Sequence, residues 1–167
     1  PSEEWKEENK NEKWYIGDTY HIAIGQGDLL VTPLQVANWT SMISNGGILY
    51  QPHIVKSIEY MNKAPKNMEP TILQKNIFLE EHLDIVKQGL RDAVTYGSAR
   101  SLNDLPIPVA GKTGTAEWSS KFLPHAWFTS FAPYPDPQIV LTILIEEGGE
   151  GSLVAVPVAK EFYLWWA

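Results

Sequence analysis

Residues 138–146 set the tightest limit on the fold. Ile139, Leu141, Ile143 and Ile145 alternate with Val140, Thr142, Leu144 and Glu146. Successive side chains of a strand point to opposite faces, so both faces of this one are largely apolar. Such a strand needs a packed layer on each side, and the pattern predicts a central strand. Residues 126–131 read as a second strand. The run Pro133-Tyr134-Pro135-Asp136-Pro137 between the two is turn-forming, which predicts an antiparallel hairpin. Residues 107–118 read as a third strand, and Pro106 and Pro108 confine its start to an edge or a bulge, because proline cannot donate to a ladder.

The remaining chain reads mainly as helix and loop. Thr32-Pro33-Leu34-Gln35 is a helix start, with an N-cap hydroxyl, proline at the first helical position and a glutamine completing a capping box. That helix runs to Asn45-Gly46-Gly47, a glycine stop signal. Leu83, Val86, Leu90 and Val94 have helical spacing within residues 79–96. Residues 154–166 read as a closing helix. Residues 22–27 are expected to form a strand or turn, residues 48–60 extended chain broken by Pro52, and residues 1–16, 61–76 and 98–104 surface loops. A chain of 167 residues supports one core. Helices followed by three adjacent strands and a helix predict an α+β fold, an antiparallel sheet flanked by helices.

Composition excludes several functions. With a net charge of −7 and no Lys/Arg cluster, the chain has no footprint for nucleic acid, which is not an expected partner. It has no cysteine, so disulfides, thiolate zinc sites and cysteine nucleophiles are out. No metal-ligand spacing joins His21, His53 and His82, so no cofactor is expected. The longest apolar run, from Ile139 to Ile145, is strand length and too short to cross a bilayer. The chain opens on Pro1 and a polar run with no Met, and it reads as a piece entered midway.

The chemistry concentrates at Gly111-Lys112-Thr113-Gly114-Thr115. The Lys112 ammonium attracts an anion or tunes a neighbouring hydroxyl. Thr113 and Thr115 supply donors, and Gly114 lets another backbone approach. If this strand borders a cleft, its free edge can pair with an extended peptide. One N–H aimed at a developing oxyanion would stabilise acyl transfer by roughly 3–4 kcal/mol. Gly-Lys-Thr also ends the phosphate-loop pattern, but that pattern needs glycine where this chain has Pro106. Ser101-Leu102-Asn103 reads as a loop and His125 as structural. Glu146 and Glu147 face opposite ways and form no carboxylate pair. Gly25-Gln26-Gly27 shapes either a cleft or a simple turn.

Taken together, Gly17-Asp18-Thr19, Ala23-Ile24-Gly25-Gln26-Gly27, Thr32-Pro33-Leu34-Gln35-Val36-Ala37, Asn45-Gly46-Gly47 and Pro52-His53-Ile54-Val55 resemble the transpeptidase domain of class B penicillin-binding proteins, of the rod-elongation type. Gly97-Ser98-Ala99, the Ala110 to Ala116 run, His125-Ala126-Trp127-Phe128 and Phe131-Ala132-Pro133 continue the resemblance in order. It extends from about Trp14 to the end. Lys-Thr-Gly is one of three short signatures of serine transpeptidases and β-lactamases; a second, Ser-x-x-Lys, occurs nowhere in this chain.

The resemblance implies the C-terminal part of a serine transpeptidase fold. It implies acyl transfer from D-Ala-D-Ala stem peptides of peptidoglycan, with β-lactams acylating the same serine. Lys112 would sit in the cleft, Thr113, Gly114 and Thr115 would line the carboxylate site, and the Thr115 N–H would be an oxyanion donor. The nucleophile would come from an N-terminal part of the same protein, anchored on the extracytoplasmic face of the membrane. A membrane glycosyltransferase of the elongation machinery is the implied protein partner. By itself the chain is expected to turn nothing over, because a lysine and an oxyanion donor do not replace a covalent nucleophile. It is also expected to be stable only beside that missing part or in a self-associated form. Two rivals stay open: a β-lactamase or β-lactam sensor of the same fold, and a non-catalytic module binding peptide or a cell-wall partner through the Lys112 strand.

Overall fold

A computed structural model describes all 167 residues. Its centre is a three-stranded antiparallel sheet of β5 (Ala110–Ala116), β6 (His125–Ala132) and β7 (Ile139–Ile145), in the order β5-β6-β7. Lys112 lies opposite Thr129, and Thr129 lies opposite Thr142. The strand expected to be central, β7, is therefore an edge strand here, and β6 is the middle one. Apolarity on both faces of β7 reports cover on both faces, and two helices supply it.

The two helices are α3 (Pro33–Ser44) and α5 (Gly151–Trp166). On one face the hydroxyl of Thr129 meets that of Thr40 on α3 at 2.7 Å and that of Thr142 at 2.8 Å. On the other, Ser130 meets the Tyr163 hydroxyl of α5 at 2.9 Å. Odd positions of β6 thus face α3 and even ones α5. Phe128, Val156, Ala159 and Tyr163 are fully buried between α5 and the sheet, together with Val94 of α4 (Glu80–Thr95) and Val109. Burying each large apolar side chain stabilises the fold by roughly 1.5–3 kcal/mol. Burial also pushes the Tyr163 phenol up to about 12, against the weaker opposing pull of its Ser130 hydrogen bond. The first residue of α5, Gly151, sits directly on the backbone of Gly114 and Trp127, where any Cβ would collide. The missing Cβ that lets α5 approach is thus that of Gly151, whereas a Cβ on Gly114 would meet the Trp127 side chain.

The capping box of α3 is formed: Gln35 N–H donates to the Thr32 hydroxyl and Thr32 N–H to the Gln35 side chain. The closing helix begins three residues earlier than its apolar spacing suggests, at Gly151. Residues 100–102 form one turn of 3-10 helix inside the expected loop.

Two expectations are corrected. Residues 1–16 are not a loop: α1 spans Glu3–Lys10, and α2 (Ile16–Ala23) follows. The Ser2 hydroxyl caps α1 by accepting from Trp5 N–H, with Glu3 and Glu4 in its first turn and Lys10 in its last. Caps and charges that complement the helix dipole hold this helix without an apolar face. Residues 61–76 contain β3 (Lys63–Asn67) and β4 (Ile72–Gln74), which pair with β2 (Ser57–Tyr60) and β1 (Leu49–Tyr50). Every residue of β2, β3 and β4 is exposed, so no burial period marks them in sequence.

Candidate active site on the edge of the sheet

The side of β5 away from β6 carries no strand. Two of its carbonyls accept hydrogen bonds from side chains: Thr113 from Lys112 Nζ at 2.8 Å, and Thr115 from Gln26 Nε2 at 3.0 Å. In an antiparallel pair, alternate residues turn both backbone groups toward the partner and those between turn both away. Thr113 and Thr115 therefore present N–H as well as C=O on the open edge. The Lys112 ammonium is folded against that edge, so a positive charge stands beside two outward N–H groups.

Side chains alternate along β5, which puts Thr113 and Thr115 on one face and Lys112 and Gly114 on the other. The Thr113 hydroxyl is fixed by Ser98 at 2.7 Å, from the turn after α4. Thr115 and Lys112 are exposed. Cation, hydroxyls and free backbone donors on one open strand suit a carboxylate next to an acyl group.

Past Thr115 the edge meets the turn after α2. Gly25 and Gly27 both have positive φ, +74° and +75°, a conformation that costs glycine little. The tight turn they make aims Gln26 at Thr115. This is the only hydrogen bond joining residues 1–31 to the rest of the chain. Within that segment Lys6 bonds Asp18 at 2.7 Å. The shared hydrogen bond is the main cause that raises the Lys6 ammonium above its ordinary pKa and lowers the Asp18 carboxyl below its own.

Other sequence candidates have structural employment. His125 Nδ1 accepts from Glu147 N–H at 3.0 Å, and its ring stacks on Trp118. In Ser101-Leu102-Asn103, Leu102 is buried and Asn103 accepts from Arg91. Glu147 sits in a left-handed turn with φ of 52°. No group of three or more His, Asp or Glu residues is placed to hold a metal ion, and no helix is long and apolar enough to cross a membrane. Sequence reasoning missed two contacts, Ser98 to Thr113 and Gln26 to Thr115. The only signal for the second was a glutamine framed by glycines.

Comparison with known proteins gives a consistent result. The penicillin-binding protein transpeptidase domain matches residues 2–164. The peptidoglycan D,D-transpeptidase MrdA of Haemophilus influenzae is 33% identical, over 98% of this chain and 28% of that protein. Among solved structures, PBP2 of Pseudomonas aeruginosa superposes with a TM-score of 0.81 and 34% identity, over 99% of this chain and 36% of that one. Helicobacter pylori PBP2, in a complex with MreC, gives 0.79 and 34%, over 96% and 29%. The chain spans under a third of the length of the MrdA relative.

Proposed function

The chain belongs to the family of penicillin-binding protein transpeptidase domains, and from that premise we propose that it forms one wall of a peptidoglycan D,D-transpeptidase site. The observation that carries this reading is the open edge of β5, with the Lys112 ammonium beside the outward backbone of Thr113 and Thr115. A stem peptide ending in D-Ala-D-Ala adds to this edge as a strand. Thr113 and Thr115 hold its terminal carboxylate through their hydroxyls, with Gly114 between them, and Lys112 supplies the attracting charge. The Thr115 N–H points at the scissile carbonyl oxygen and stabilises the oxyanion formed when a serine attacks. That serine belongs to another part of the same protein, since this chain has no Ser-x-x-Lys. The oxyanion collapses to an acyl-enzyme ester as the C–N bond to the terminal D-Ala breaks and that D-Ala leaves with the proton of the serine; the ester then passes to an acceptor amine, whose C–N bond forms as the C–O bond to serine breaks and whose proton returns to the serine oxygen. β-Lactams enter by the same edge.

The same reading places the protein on the extracytoplasmic face of the membrane, held by a segment outside these residues. Its partners are then a scaffold of the MreC kind, as in the Helicobacter pylori complex, and a membrane glycosyltransferase. Intact-mass analysis with benzylpenicillin tests the assignment. The full-length protein carrying this sequence gains one adduct, mapped by digestion outside residues 1–167. An adduct on a serine or lysine of this chain, or none at all, overturns it.

A further inference from the structure

The ribbon of β2 and β3 lies within a stretch, residues 51–82, in which every residue is exposed. Its register pairs Ile58 with Lys66 and Tyr60 with Lys63. Farther from the turn, the Met68 N–H donates to the Lys56 carbonyl at 3.0 Å, so those two residues oppose each other as well. Opposed residues point to the same side of a ribbon, and alternate residues of one strand share that side. Lys56, Ile58 and Tyr60 therefore lie on one face with Lys63, Lys66 and Met68. The register shift between Ile58 and Tyr60 is what turns Lys63 and Lys66 to the same side. Three ammonium groups thus alternate with three largely apolar side chains, a cluster that the sequence scatters and the fold gathers. None of the three lysines has an ion-pair partner. The one carboxylate within residues 56–68, Glu59, points to the opposite face. Met61, fully exposed, stands at the turn.

We infer that this face of the ribbon docks on a bilayer surface that carries anionic phospholipid. The lysines meet the phosphates, while Ile58, Tyr60, Met68 and the turn residue Met61 settle among the headgroups and the upper acyl chains. The chain as a whole has a net charge of −7, so a phosphate surface repels most of the molecule and attracts this arm, which sets the orientation of approach. The apolar side chains decide the kind of partner. A nucleic-acid backbone or a wall polysaccharide gives Ile58, Met61 and Met68 nothing to be buried in, whereas a bilayer offers phosphate and hydrocarbon side by side. The inference goes beyond the chemistry at β5 and takes from the proposed function only that the protein stands at a membrane.

The test is amide exchange, read by mass spectrometry, on the full-length protein carrying this sequence. It is reconstituted in nanodiscs of phosphatidylcholine alone or of phosphatidylcholine mixed equally with phosphatidylglycerol. The membrane anchor is common to both, so the difference between them reports the ribbon. Residues 57–67 should exchange at least about 5-fold more slowly in the anionic discs, the scale of a single lysine at an anionic surface. β6 should exchange alike in both. Salt of about 1 M removes the difference without any substitution. Combining Lys56→Gln, Lys63→Gln and Lys66→Gln removes it too, with acylation by benzylpenicillin unchanged as the sign of an intact fold. Met61→Ser weakens the protection with the charges in place. Equal exchange in the two discs, or protection that survives both salt and the triple substitution, overturns the docking surface. Protection by soluble peptidoglycan fragments and none by phosphatidylglycerol also overturns it, and assigns the face to the wall polymer. Failure of penicillin to acylate the unsubstituted protein overturns the transpeptidase reading and leaves the result for the ribbon standing.

Discussion

The sheet and the N-terminal helical pair are built by opposite means, and the candidate site lies where they meet. β5, β6 and β7 are held by continuous ladders and by a buried cluster that includes Phe128, Val156 and Tyr163. The pair α1 and α2 has one buried residue, Lys6, and α2 has none at all. The Lys6–Asp18 ion pair joins the two helices, Lys10 ties α1 to Asp28 beyond α2, and one exposed hydrogen bond ties the segment to β5. Burial of apolar surface is worth several kcal/mol per large side chain, an exposed polar link about one or less. β5 thus belongs to the well-buried part, while the cavity beyond it, lined by Glu117 and His21, shares a wall with the weakly tied helical pair.

The largest effect comes from hollowing the sheet. Phe128→Ala removes a fully buried ring and should cost about 3–5 kcal/mol in urea denaturation. A loss below about 1 kcal/mol would mean that the core is not centred on β6, and the contrast between the two regions would collapse.

Next is the Tyr163 phenol. It ionises near 10 in an unfolded chain and is pushed up to about 12 in the fold, so the folded state keeps the proton longer. Stability is unaffected below pH 10 and falls as pH rises from 10 toward 12, by about 2–3 kcal/mol in all. Tyr163→Phe loses the Ser130 hydrogen bond, about 1 kcal/mol, but removes the phenol's share of the alkaline slope. Equal slopes in the two proteins would show that the ring reaches solvent.

The same division explains what the sequence made legible. The hairpin of β6 and β7, the capped start of α3 and the period of α4 could be read because each couples a local signal to burial. Thr32 and Gln35 announce a cap, and Leu83 and Val94 announce a buried stripe. The helix α1 and the ribbons β2, β3 and β4 bury almost nothing, so no period betrays them. The place of β7 at the edge was hidden for the converse reason. Its residues record which faces are covered, and strand order leaves no mark on that pattern. At the candidate site, residue type alone singles out Lys112, Thr113, Gly114 and Thr115 on one strand. Gln26 acts across 89 residues of sequence and Ser98 across 15, through turns whose closure no local pattern encodes.

Gln26→Ala breaks the one link between the regions. The expected cost is about 0.5–1 kcal/mol, confined to the helical pair. Amide exchange should quicken in α2 and stay unchanged in β6, measured by mass spectrometry on the full-length protein. Equal quickening in both elements would mean that the pair and the sheet open as one unit.

The smallest effect belongs to the Lys6–Asp18 pair, and its sign follows from the shifts. The folded Asp18 carboxyl titrates below its ordinary value, so its contribution is present above about pH 4 and is lost as pH falls through the lowered value. The Lys6 ammonium titrates above its ordinary 10.5, so its contribution is present below that pH and is lost as pH rises past it. Between those limits the pair keeps α1 docked on α2. Exchange in α1 should therefore be slowest through the neutral range, relative to intrinsic rates, and quicken toward pH 3. Asp18→Asn should remove the acid limb. It should also expose α1 at pH 7, though less than acid exposes the unsubstituted helix, because Glu12 still faces Lys6 at neutral pH. Persistence of the acid limb in that variant would assign it to another carboxylate, with Glu12, 3.6 Å from Lys6, the next to replace.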